Sequence, residues 1–96
     1  MNALLSIDSS RLLRRLDELG RIGATPAGGV SRLALSDADR EGRDQVVAWM
    51  KEVGLEVYID QVGNLLGFRA GESDNAPVLF GSHLDSVREG GRFDGA

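Results

Sequence analysis

Partway along this chain the apolar residues change period, and that change commits it to an α/β architecture. Through residue 53 they recur three and four positions apart, as on one face of a helix. From Glu56 onward they alternate, as along a strand. Leu12, Leu16 and Leu19, with Leu13 beside them, form the first stripe. They predict a helix over about residues 10–19, capped by Ser9 or Ser10 and ended by Gly20, with Arg11, Arg14, Arg15, Asp17 and Glu18 facing water. Ser36-Asp37-Ala38-Asp39 opens a second helix, because a serine cap and first-turn carboxylates satisfy free N–H groups at its positive end. Its buried face is expected at Val46, Val47, Met50 and Val53, with Trp49 flanking and Gly54 closing it. Between the helices, Gly23, Pro26, Gly28 and Gly29 mark an irregular connection.

After the second helix, Glu56–Asp60 and Leu65–Arg69 read as the strands of a hairpin turning at Gly63-Asn64. A polar turn over residues 71–77 leads to Val78-Leu79-Phe80, a short continuous apolar run of the kind buried on both faces of a sheet. A glycine-rich loop follows. A loop at the carboxyl end of a central strand is where open α/β sheets bind ligands. A central strand needs neighbours on both sides and only a hairpin is on offer, so the chain is expected to be the first portion of a larger catalytic domain.

Composition narrows the chemistry. A net charge of −4 argues against nucleic acid and anionic membrane as partners. No long apolar run and no basic, apolar leader is present, so cytoplasmic residence is the default expectation. Without cysteine, any metal must be held by histidine and carboxylates. The one histidine, His83, sits in the glycine-rich loop, with Asp85 two residues on and Asp94 beyond Gly90-Gly91. A neutral imidazole is a common metal ligand, and a nearby carboxylate can orient it through its other ring nitrogen. A carboxylate among glycines can approach small ions closely. On spacing alone, plainer readings stand beside these: a surface or core histidine, and an aspartate turning the backbone. Trp49 and Met50 read as core, Tyr58 as a strand residue with a wet hydroxyl and Asn64 as a turn residue. Arg32 is either a solvated loop charge or an anion contact.

Gly81-Ser82-His83-Leu84-Asp85-Ser86-Val87 with Gly90-Gly91-Arg92-Phe93-Asp94-Gly95 resembles the first metal motif of the co-catalytic zinc amidohydrolases related to the zinc aminopeptidases. More narrowly, it is similar to the N-carbamoyl-L-amino-acid hydrolase, allantoate amidohydrolase and β-ureidopropionase group. Gly28–Leu33, Trp49-Met50 with Gly54-Leu55, and Asp60–Asn64 match that group's landmarks in order, so the resemblance covers about residues 10–96. It implies that His83 is a ligand to one metal, that Asp94 bridges two, and that Asp85 is the catalytic-site aspartate orienting His83. Ser82, Gly91 and Phe93 would shape the loop. Two divalent ions are implied, zinc foremost and manganese, cobalt or nickel as alternatives, with a metal-bound hydroxide attacking a linear ureido or amide substrate. The group's glutamate base, remaining ligands, substrate-gripping residues and dimerisation domain would lie beyond residue 96, in a homodimeric full-length protein. Residues 1–96 alone are then expected to be inactive. The other readings are an aminoacylase or metallopeptidase of the wider superfamily, and a truncated remnant without catalysis.

Overall fold

The computed structural model describes residues 4–96. Two helices, α1 (Ser9–Arg21) and α2 (Asp37–Glu52), precede an antiparallel hairpin of β1 (Glu56–Ile59) and β2 (Leu65–Phe68). Asp8, not Ser9 or Ser10, caps α1, its carboxylate accepting from Arg11 N at 3.0 Å. Two further serines were available, but a carboxylate also complements the positive end of the helix. Gly20 does not end α1. It lies buried inside the helix against Arg92, where a β-carbon would stand 3.0 Å from the arginine Cγ. The left-handed glycine comes three residues later, at Gly23 with φ +82°.

Helix α2 begins as its cap residues predict. Ser36 Oγ accepts from Asp39 N at 3.1 Å, and the Asp39 carboxylate returns to Leu35 N at 3.0 Å. Gly54 closes the helix at φ +84°. Its buried positions differ from the apolar stripe. Val46, Val47, Trp49 and Met50 are half-buried and Val53 is exposed, whereas Asp39 and Gly42 are buried. The reason is Arg32, whose Cδ lies 3.0 Å from where a β-carbon on Gly42 would sit. Arg15 leaves the water-facing set too, stacking over Trp49 at 5.4 Å and donating to Glu52 at 3.1 Å.

The hairpin pairs Glu56 with Phe68 and Ile59 with Leu65. Met50 and Leu55 press on it at Gly67, where a β-carbon would meet the Leu55 Cδ1 at 2.8 Å. Tyr58 is exposed and donates to Glu56 at 2.7 Å, a wet hydroxyl as expected. The turn is not the two-residue Gly63-Asn64 turn. Residues 60–64 form the loop, and the Asp60 carboxylate accepts from Val62 N, Asn64 N and Asn64 Nδ2 at 3.0, 2.8 and 2.7 Å. Those bonds, the Asn64 side chain's first, hold the Asp60 carboxyl below the usual range. A depressed folded-state value means the loop's stabilisation is complete above the unfolded pKa, near 3.9, and is lost as pH falls through the folded value. Acidification below about pH 4 should therefore lower the protection of the Val62 and Asn64 amides, measured as exchange relative to the intrinsic rate at each pH, before that of the helices. Protection at those amides that stays constant down to pH 2 would contradict this.

The expected central strand is absent among the described residues. Val78, Leu79 and Phe80 are 90, 84 and 93% exposed and bond to no strand. A ladder needs a partner backbone, and the hairpin's two strands satisfy only each other. The hydrophobic run is present without the sheet that would bury it.

Candidate metal centre

The glycine-rich loop is anchored by the connection between the helices, a pairing that no local pattern announces. Val30, 1% exposed, exchanges backbone bonds with Gly90, donating at 2.9 Å and accepting at 2.7 Å. Gly29 lies so close beneath that strap that a β-carbon would stand 2.6 Å from Gly90 O. Ser86 is buried and closes a second link: its N donates to Arg32 O at 2.7 Å while its Oγ accepts from Arg32 N at 2.9 Å. Glu89 adds a third, donating from its N to Ser31 Oγ and accepting from Thr25 Oγ1, both at 2.8 Å.

Arg32 is neither a solvated charge nor an anion contact. It is 1% exposed, and its guanidinium donates to three carbonyls: Leu19 O at 3.0 Å, Ile22 O at 2.7 Å and Leu84 O at 2.8 Å. Burial lowers its pKa, opposed by the negative charge of Asp39, Asp94 and Asp85. An arginine stays ionised regardless, so a permanent cation stands behind both loop aspartates. Arg92 works in the opposite direction, reaching from the loop to pair with Asp17 on α1.

His83, Asp85 and Asp94 come together on the outer side of this frame. His83 Nδ1 lies 2.8 Å from the main-chain oxygen of Asp85 and 3.4 Å from its carboxylate. A carbonyl can only accept, so this bond places a proton on Nδ1, and in the neutral ring the Nε2 lone pair is left free. Nε2 faces Asp94 Oδ1 at 3.8 Å. The other Asp94 oxygen accepts from Val87 N at 3.2 Å, which fixes the carboxylate's rotation. Gly95, at φ +80°, passes so close under the imidazole that a β-carbon would lie 2.8 Å from Nδ1 and Cε1.

Two ligands of one tetrahedral zinc stand about 3.4 Å apart, and Nε2 and Oδ1, at 3.8 Å, lie wider than that. The set is also short. Among the described residues no cluster of three or more histidine, aspartate, glutamate or cysteine side chains is gathered to hold an ion.

No protein-family model matches the chain. It is 50% identical over 92 residues to an N-carbamoyl-L-amino-acid amidohydrolase of Pseudomonas sp. strain NS671, covering 95% of this chain and 22% of that protein. Its backbone superposes on a crystal structure of a hydantoinase/carbamoylase family amidase from Burkholderia ambifaria with a TM-score of 0.91 and 56% identity, over 97% of this chain and 23% of that one. The chain belongs to the hydantoinase/carbamoylase family of amidases. An allantoate deiminase 1 of Glycine max, 40% identical over 83 residues, extends the likeness to plants, with 85% of this chain and 17% of that protein aligned. The chain thus spans about a fifth of the length of the family relatives it matches. The superposition takes in nearly the whole chain, and Val78–Phe80 pair with no strand among the described residues.

Proposed function

We propose that this chain supplies the opening part of a two-metal amidohydrolase site that acts on linear ureido or amide compounds, an N-carbamoyl-L-amino acid or allantoate foremost. One observation carries the reading: His83 Nε2 and Asp94 Oδ1 converge at 3.8 Å on a loop whose rotamers are already set by main-chain bonds. In this reading His83 is a ligand to one ion, Asp94 bridges two, and Asp85 orients His83 through its main-chain carbonyl, with its carboxylate nearby. The bound ions, zinc foremost, would supply an activated water and polarise the scissile carbonyl. The chain's own work is positional. The Asp85 carbonyl holds the imidazole in the tautomer that presents Nε2, and Val87 N holds Asp94 in the rotation that presents Oδ1. The Arg32 charge keeps two carboxylates close together at reduced mutual repulsion.

A catalytic zinc normally takes three protein ligands, so residues 1–96 by themselves are expected to release no ammonia from N-carbamoyl amino acids. Installing this chain in place of the matching 92 residues of the Pseudomonas relative tests the reading. The hybrid should hydrolyse N-carbamoyl-L-amino acids, and His83→Ala or Asp94→Ala in it should lower the rate by about 100-fold or more, beyond the effect of losing a mere supporting contact. A hybrid equally active with and without His83 would overturn the assignment.

A further inference from the structure

Arg32 spans two parts of the molecule that are far apart in sequence. One guanidinium nitrogen, Nη1, takes the Leu19 and Ile22 carbonyls at the end of α1, where a cation is favoured by the helix dipole. Its Nε takes the carbonyl of Leu84, the residue between His83 and Asp85. The main chain of Arg32 is bonded both ways to Ser86, one residue beyond Asp85. The segment that turns the Asp85 carbonyl toward the histidine ring is therefore gripped on both flanks by a single residue, and that residue is referenced to a helix.

We propose that Arg32, tied in by Ser86, is a positioning residue for the His83–Asp94 pair. It fixes the Leu84–Ser86 turn so that the Asp85 carbonyl captures the His83 Nδ1–H and Nε2 is left to face Asp94. The ligand part of this inference rests on the function proposed above; the tautomer part does not. Lysine cannot substitute, because a point charge on a flexible stem cannot grip α1 and Leu84 simultaneously as a planar fork does.

The test follows the His83 ring by 15N NMR and zinc affinity by calorimetry in the whole chain, for Arg32→Lys and Ser86→Ala. Asp60→Ala, in the hairpin loop, serves as a destabilised control. Wild type should show the Nδ1–H tautomer alone. Arg32→Lys and Ser86→Ala should each give a tautomer mixture and weaken zinc binding about 10-fold or more, in the range typical for partners of a metal ligand. Asp60→Ala should lower thermal stability and leave both readouts unmoved. The inference is overturned if both site variants retain a single Nδ1–H tautomer, or if Asp60→Ala changes it equally. Should Arg32→Lys not fold, Ser86→Ala decides. If wild type binds no zinc, the metal reading has failed while the tautomer populations still decide the role of Arg32.

Discussion

Gly95→Ala is expected to disable the loop while leaving the helices and hairpin standing. Two effects add at this position. The backbone sits at φ +80°, a left-handed conformation that costs a residue with a β-carbon about 1–3 kcal/mol. That β-carbon would also clash with the main-chain oxygen of His83 and lie 2.8 Å from its Nδ1 and Cε1, too close for any real contact. The ring is 55% exposed and can escape outward, but the main-chain oxygen cannot, so the loop backbone at His83 and Gly95 must shift together with the ring. Displacing the ring breaks the Nδ1 bond to Asp85 O and carries Nε2 away from Asp94. The expected result is near-normal circular dichroism, a small loss of thermal stability and zinc affinity reduced by 10-fold or more, as when other supports of a ligand are lost. Gly28→Ala, also at positive φ but with open space around it, provides the comparison: backbone strain without a change at His83. Unaltered zinc binding in Gly95→Ala would mean that the tight passage beneath the imidazole is not what places it.

The elements legible in the sequence were those with a local cause. The Ser36–Asp39 cap, the Gly54 stop and the two strands of the hairpin each depend on residues within a few positions of one another, and each is found. The errors have non-local causes. Gly20 looked like a helix stop, but its lack of a side chain makes room for Arg92, 72 residues away. Gly42 does the same for Arg32, which is why the buried face of α2 is not its apolar stripe. Asp60 sets a five-residue loop where Gly63-Asn64 had suggested a shorter one. Val78-Leu79-Phe80 has the composition of a central strand, but composition cannot provide the neighbouring backbone a ladder requires.

At the candidate site, His83, Asp85 and Asp94 were legible because their residue types and spacing are chemically conspicuous. Their support was not. Val30, Arg32, Ser86 and Glu89 act through main-chain atoms or from burial, and a pairing between residues near 30 and near 90 leaves no periodic trace. Arg32 was the hardest to read. A buried arginine is rare without a partner, and here the partners are carbonyl groups that every residue carries. The small buried centre is accordingly polar as much as apolar: Leu19 and Val30 together with Arg32, Asp39 and Ser86. This chain is held by specific hydrogen bonds where a larger domain would rely on buried area.

The second large effect belongs to His83 itself. It supplies the one imidazole of the chain, and its Nε2 is the donor that faces Asp94 Oδ1 at 3.8 Å. Carboxylates elsewhere on the surface can bind divalent cations loosely, so the informative quantity is the difference that one ring makes. Calorimetric titration of the 96-residue chain with zinc measures it most directly. The expected result is weak one-site binding that disappears in His83→Ala and is sharply reduced in Asp94→Asn, with the thermal stability of both variants close to wild type. Equal zinc binding by wild type and His83→Ala would contradict the assignment of this loop as a metal centre.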